Sequence, residues 1–395
     1  MEKGFERNLK LLNIIYILKW FVLMLPVTVL FFTENGLNGE EILKLTSYYA
    51  VSIVIFEIPS GYLADLWGRK NSIVSGLILS LIGTIFFLFP GYYYFLIAEI
   101  FLGVGASFIS GCDSALFYDS LLSLKKESSF QKLISRYRSY GNFSEGFSGI
   151  AGGFIASYAV VYTVYGRILV LFIGVLISLL LVEPKVERIK TDRLKNLFIV
   201  IKYALYDNKK VKWLILLGAV LGAVTLNMAW FSQFFFKHIN LDPFYYGVIW
   251  AIMQFASGIY AILGLKFVNL IGKRNSMISL IVFIIVGFFG LSFSTNIFIG
   301  IIFILTTYFI RGINLPVLDY YIHNEVSSDK RATTLSIKSL MVRLIYSLFA
   351  PLYGYLIDKY SLSLSLQSAG LIYSIIGTIA VIAIINVMDL RRENR

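Results

Sequence analysis

The chain has 395 residues, of which 58% are apolar and 16% aromatic, and only 15% are charged. A soluble domain is near half apolar and about a quarter charged, so this balance excludes a soluble globular protein and points to one embedded in a membrane. The formal charge of +12 is not the mark of a nucleic-acid partner, because the basic residues fall on alternate loops between apolar runs, where anionic lipid headgroups are the partner.

Apolar stretches of about 20 residues, enough to cross about 30 Å of hydrocarbon as helix, recur along the whole chain. The first predicted span, Leu11 to Phe32, contains Lys19 and Pro26 and is too long for the core of a cleaved signal peptide. The second, Glu41 to Ala64, carries Glu57 and Pro59, and a polar loop leads into the third, Ser72 to Leu88. The fourth, Tyr92 to Leu121, holds Glu99, Asp113 and Asp119. The fifth, Lys132 to Ala159, places Glu145 ahead of Gly146, Gly149, Gly152 and Gly153, small residues that permit close helix packing. Val161 to Val182, with Arg167, is the sixth.

Residues 183–212 read as a linker with both charge signs, whose Leu194, Leu197, Phe198, Ile201 and Leu205 recur at helical spacing. Six more spans follow: Trp213 to Phe236, Phe244 to Leu270, Ser276 to Phe293, Ile297 to Ile322, Ala332 to Leu356 and Leu362 to Met388. The stretch LWGRKNS, starting at Leu66, returns as LIGKRNS 204 residues later, starting at Leu270, each after the second span of its set. The fold class expected is therefore an all-α membrane protein, twelve transmembrane helices in two six-helix repeats: residues 1–182, the linker 183–212 and residues 213–395.

Lys3, Arg7, Lys10, Arg69, Lys70, Lys125, Lys126, Lys132, the run Lys185 to Lys212, Lys273, Arg274, Lys330, Arg331, Arg391, Arg392 and Arg395 share one side in this topology. The opposite loops hold only Lys44, Lys237 and Lys359. That asymmetry puts both termini in the cytoplasm; a bacterial-type inner membrane is the expected location. The single cysteine, Cys112, excludes an internal disulfide framework, and His238 and His323 stand too far apart to form a metal cluster.

The loop GYLADLWGRKNSI resembles the signature after the second helix of the major facilitator superfamily, G-x-L-A-D-R-x-G-R-K-x-x-L. The matching residues are Gly61, Leu63, Ala64, Asp65, Gly68, Arg69 and Lys70, with Ile73 at the last apolar position and Leu66 in place of the first arginine. The resemblance implies twelve-helix transport by alternating access, with Asp65 facing the eleventh helix near Ala332 and Arg69 paired with Asp119. Gly61, Asp65, Gly68, Arg69, Lys70 and Asp119 are then a conformational gate; the plainer alternative is that they satisfy a loop. Apart from the family, Gly68 allows a tight turn, and Asp65 at a helix end suits the N-terminus of a neighbouring helix.

FLIAEIFLGVGAS in the fourth span resembles the exporters' L-x-x-x-R-x-x-Q-G-x-G-A-A with Glu99 in place of the arginine. The fifth span keeps the paired glycines of their G-P-x-x-G-G pattern without the proline. The sign reversal at Glu99 predicts a swapped pair with Lys19, in which the carboxylate carries the proton.

Each ionisable group in the hydrocarbon costs about 2.5 to 3.5 kcal/mol on insertion scales and needs a cavity or a partner. Lys19, Glu57, Glu99, Asp113, Glu145, Arg167, Arg311, Lys338 and Arg343 are the groups in question. Glu145 falls roughly 13 Å along its helix from Arg136, near mid-membrane, and Lys19, Arg311 and Arg343 fall at similar depth. Lys19, Glu145, Arg311 and Arg343 are the candidate substrate-binding residues, and Glu99, Glu57, Asp113 and Glu145 the candidate proton carriers; alternatively these charges pair among themselves and only hold helices together.

No Gly-x-x-x-x-Gly-Lys-Ser/Thr loop occurs, so coupling to protons or another ion is expected rather than ATP hydrolysis. The leading expectation is a proton-coupled exporter of drug-like or amphipathic small molecules, monomeric, without cofactor or metal and with no enzyme activity. The alternative is transport of one charged metabolite, an organic anion or zwitterion, favoured by the cations Lys19, Arg311 and Arg343. A membrane enzyme or lipid-handling protein is a third reading, and no nucleophile–histidine pair supports it.

Overall fold

The computed structural model describes residues 2–184 and 199–388, which are helical wherever they are regular. The first span is two helices, α1 (Glu2–Trp20) and α2 (Thr28–Glu34), joined through a 3-10 turn at Leu25–Val27 that contains Pro26. Then come α3 (Gly39–Trp67), α4 (Arg69–Phe86), α5 (Tyr92–Ile109), α6 (Cys112–Ser123), α7 (Phe130–Ala156) and α8 (Val161–Leu179). Next are α9 (Lys209–His238), α10 (Pro243–Ser292), α11 (Ile297–Ile313), α12 (Asp319–Glu325), α13 (Ser328–Lys359) and α14 (Leu362–Val387).

Eight segments among the described residues are long and apolar enough to cross a membrane. The 50-residue α10 counts for two, because its backbone leaves the helix at Gly272 (φ 80°, ψ 162°). With α4, α7 and the pair α11 and α12, twelve spans result. Gly68 (φ 94°) and Gly272 occupy matching places in LWGRKNS and LIGKRNS, and both take the positive φ that glycine tolerates, so the two loops share a backbone as well as a sequence.

Three of the spans expected to be continuous are interrupted. The first breaks between Trp20 and Leu25. The fourth breaks at Ser110 and Gly111, where Ser110 ends one helix and Gly111 (φ 72°) starts another. The tenth passes through a π-helical turn, Asn314–Leu318, that includes Pro316. Pro59 and Pro351, by contrast, lie inside α3 and α13 without ending them. The eleventh span starts at Ser328, four residues before Ala332. Of the expected linker helix, Leu194, Leu197 and Phe198 lie outside the described residues, while Ile201 is helical and Leu205 sits in a π-turn, Tyr203–Asp207.

The chain divides into two compact units. Unit 1 comprises residues 1–37, 48–191 and 242–252, and unit 2 comprises 38–47, 192–241 and 253–395. Unit 1 packs around Leu12, Ile73, Leu77, Leu116, Phe117 and Tyr137. Its helices approach closely where side chains are missing: a Cβ on Gly76 would stand 2.7 Å from the Gly105 carbonyl, and one on Gly153 would stand 2.6 Å from the Phe244 carbonyl. Unit 2 is built on α9, the most buried of the apolar spans. There Asn227 donates to the Tyr373 hydroxyl at 2.7 Å, and Phe231 packs edge-on to Phe288. The first turn of α3 also belongs to unit 2, and the Asp358 carboxylate at the end of α13 accepts from the Gly39 and Glu40 amides at 2.8 and 2.7 Å.

Candidate functional site

Gly68 breaks the helix after α3, so the amides that open α4 have no carbonyl within their own helix to bond. The Glu183 carboxylate takes them, accepting from Arg69 N at 2.9 Å and Lys70 N at 2.7 Å. The Arg69 side chain turns away to α6, where it donates to the Ala115 carbonyl at 2.6 Å and forms an ion pair with Asp119. Asp119 is buried, so this pair is shielded from bulk water. Asp65 and Gly61 lie half-buried in the last turns of α3. Glu183 was not singled out by sequence reasoning; an acid one residue before Pro184 at the end of the sixth span was its signal.

The break in the fourth span creates the second cluster. Ser110, at the end of α5, donates to Glu57 at 3.1 Å, and Ser60 donates to the Ser107 carbonyl at 3.0 Å, so α3 holds the last turn of α5 up to the break. Asp113 stands in the first turn of α6, and its carboxylate receives the Lys19 ammonium at 3.3 Å. The expected pairing of Lys19 with Glu99 is therefore corrected. Gly111 starts a new helix, and the acid in that helix's first turn, rather than the one on α5, meets the lysine. Tyr16 packs against Tyr137 beside the pair, with ring centroids 3.9 Å apart and the rings tilted by 34°.

Glu99 is left buried in α5 with no hydrogen bond or ion pair to any of the described residues. Glu145 is buried on α7. A buried carboxylate such as that of Glu99, with no partner among the described residues, is costly in its charged form.

Unit 2 has its own buried pair. The Lys338 ammonium on α13 bonds to Asp319, the first residue of α12 after the π-turn. Asn314 in that turn donates to the Gly218 carbonyl at 3.2 Å, and its own oxygen is buried without a partner among the described residues. Asp319 was not among the sequence candidates, because YFIRGINLPVLDYYIH gives no hint of where the turn resets the helix face. Arg311 lies over the Tyr308 ring at 5.8 Å, and Arg343 donates to Ser339. Neither arginine has an acid partner among the described residues. No group of His, Cys, Asp and Glu suited to a metal occurs among them either.

The chain is similar in fold to three transporters of known structure. The nucleoside transporter NupG aligns with 15% identity over 97% of this chain and 98% of its own, at a TM-score of 0.75. A bacterial homolog of the human lysosomal transporter Spinster aligns with 16% identity over 96% of both chains, at 0.72. A D-xylose-proton symporter aligns with 14% identity over 97% of this chain and 96% of its own, at 0.70. No curated protein sequence matches. The Major Facilitator Superfamily profile covers residues 11–344. With twelve spans in two repeated halves and a charged loop after the second helix, the chain belongs to the Major Facilitator Superfamily and is a multi-pass membrane transporter.

Proposed function

We propose that the chain is a proton-coupled secondary transporter that works by alternating access and exports drug-like or amphipathic small molecules. The observation that carries the coupling is Glu99, a buried carboxylate with no partner among the described residues. A proton is the smallest ligand that relieves such a group, and its gain and loss as water reaches the site couple the gradient to the conformational cycle. Asp113 extends this: protonation would loosen its hold on Lys19 and free that cation for cargo. Glu57 and Glu145 are further proton carriers in this scheme. Proton coupling is also a use to which this fold is put, as the name of the D-xylose-proton symporter records.

In this reading Gly61, Asp65, Gly68, Arg69, Lys70 and Asp119 form the gate, and Lys19, Glu145, Arg311 and Arg343 meet the cargo. The protein acts as a monomer in a bacterial-type inner membrane with both termini cytoplasmic, as residues 1–182 and 213–395 joined by the linker 183–212. Drug-like cargo is favoured by the likeness of the second, fourth and fifth spans to exporters. The second reading, one organic anion or zwitterion, is favoured by Arg311 and Arg343, which have no acid partner among the described residues.

The test is transport of a substrate panel by proteoliposomes under a proton gradient imposed in either direction. Gradient-driven movement that disappears in Glu99→Gln, with exchange retained, is the expected result. Undiminished gradient-driven transport by that variant would sink the coupling scheme. Movement of unrelated lipophilic compounds supports the first cargo class, and saturable movement of a single anion supports the second.

A further inference from the structure

Arg167, on α8, has no part in the scheme above, yet its side chain reaches the break in the first span. There it donates to three backbone carbonyls: Nη1 to Leu18 at 2.9 Å and to Phe21 at 2.9 Å, and Nη2 to Lys19 at 3.0 Å. Ser144 on α7 takes a fourth, the Ile17 carbonyl, at 2.7 Å. In a continuous helix the amides of Phe21, Val22 and Leu23 would fill the carbonyls of Ile17, Leu18 and Lys19. Instead the Phe21 amide makes a short turn to Leu18, and the Val22 amide bonds to Trp20. The neighbouring helices are hollowed to admit the displaced chain: a Cβ on Gly152 would overlap the Leu23 carbonyl, and one on Gly166, next to Arg167, would stand 2.6 Å from the Leu23 side chain.

We propose that Arg167 is a built-in cation at this break, a positioning residue that gathers the exposed carbonyls of α1 and so aims the Lys19 side chain at Asp113. Two physical arguments support the assignment. Carbonyls at the C-terminal end of a half-helix carry partial negative charge, and transporters with interrupted helices commonly use such ends to hold a coupling cation. Here a guanidinium, permanently charged and with donors in a planar fork, occupies that place from within the chain. Moreover, Lys19 is the residue whose carbonyl Arg167 holds and whose ammonium pairs with Asp113. Loss of the guanidinium therefore frees the backbone from which that pair is built.

The readout needs no knowledge of the cargo and is independent of the Glu99 scheme. Cys112 is the only cysteine in the chain and adjoins Asp113 in the first turn of α6, where it is buried. In the full-length protein in detergent, the rate of Cys112 alkylation by N-ethylmaleimide reports how firmly this region is closed. In Arg167→Ala the rate is expected to rise about tenfold or more, in line with the loss of even one charge-assisted hydrogen bond. Guanidinium chloride at tens of millimolar should return it towards the wild-type rate, while the same concentration of sodium chloride controls for ionic strength. In Lys19→Met the rate should also rise, but guanidinium should not rescue it, because the carbonyl site is still filled. Arg167→Lys, which keeps the charge and loses the fork, is expected to fold and to fall between wild type and Arg167→Ala. If Arg167→Ala labels as slowly as wild type, if guanidinium has no more effect than sodium chloride, or if Arg167→Lys matches wild type, the proposal is wrong.

Discussion

Lys19 in the last turn of α1 and Asp113 in the first turn of α6 form an ion pair at 3.3 Å, and each stands beside an interruption of its span. The acid is the more enclosed partner, with 10% of its side chain exposed against 24% for the lysine. Removing one member of a buried pair leaves the other uncompensated, at about 3 to 5 kcal/mol when fully buried and less with partial access to water. Lys19→Met, which strands Asp113, should therefore lower stability more than Asp113→Asn, which strands the better-hydrated lysine. The double variant should recover part of the loss. Thermal unfolding in detergent of the four proteins checks the order.

Glu183 caps α4 through two backbone amides. Loss of a side-chain cap costs about 0.5 to 2 kcal/mol, and an amide oxygen retains part of the bond. Glu183→Ala is expected to destabilise by about 1 kcal/mol and to speed hydrogen exchange at Arg69 and Lys70, with Glu183→Gln intermediate. Exchange at the Ser72 amide, which bonds to the Gly68 carbonyl within the chain turn, should respond less.

These two sites differ in how far they can be read from the sequence. The Arg69 to Asp119 pair was legible through the resemblance of a local motif to the family's signature, which needs no tertiary information. The interruption after Trp20 was not: WFVLMLPV is a continuous apolar run, and only Pro26 marks it. The carbonyls left open there are taken by donors from α7 and α8, which a sequence does not place. Mispairing Lys19 with Glu99 followed from carrying over a pattern of an uninterrupted fourth span, whereas the break brings Asp113 to the lysine. Gly111 was the legible clue in SGCDS, and Asp319 beyond the π-turn had none.

Asp358 caps the first turn of α3 with both carboxylate oxygens, within unit 2. A Cβ on Gly354, one turn earlier, would stand 2.6 Å from the Gly39 carbonyl, so backbones meet directly beside the cap. A carboxylate at a helix N-terminus adds about 0.3 to 1 kcal/mol of dipole interaction to the cap itself. Asp358→Ala should accelerate hydrogen exchange at Gly39 and Glu40, and Asp358→Asn should do so less. Gly354→Leu should give the same loss by steric exclusion with the carboxylate intact.

Arg311 and Arg343 should separate the two cargo classes. Neither has an acid partner among the described residues, so substitution strands no buried carboxylate there. Arg311→Ala and Arg343→Ala are expected to leave thermal stability within about 1 kcal/mol of wild type, as for substitutions outside buried networks. If the cargo carries a carboxylate or phosphate, each should reduce its transport about tenfold or more, the scale of one charge-assisted contact. Transport unchanged in both variants would argue for neutral or lipophilic cargo.

Lys338 and Asp319 reverse the asymmetry of the pair in unit 1. Here the lysine is the enclosed partner, with 8% of its side chain exposed against 24% for the acid. Its aliphatic stem also lies against α9, where a Cβ on Gly218 would stand 2.9 Å from Lys338 Cδ. Asp319→Asn would leave a buried ammonium with a neutral partner, whereas Lys338→Met would leave a partly hydrated carboxylate and retain the stem's packing. The acid substitution should thus be the more damaging, by about 1 kcal/mol or more, opposite to the order expected for Lys19 and Asp113. The nearby Asn314 oxygen lacks a partner among the described residues and offers the stranded ammonium an acceptor. Asp319→Asn combined with Asn314→Leu should therefore lose more stability than the two single losses together. Thermal unfolding of these four variants checks both points, and equal losses in Asp319→Asn and Lys338→Met would show that burial does not govern the pair.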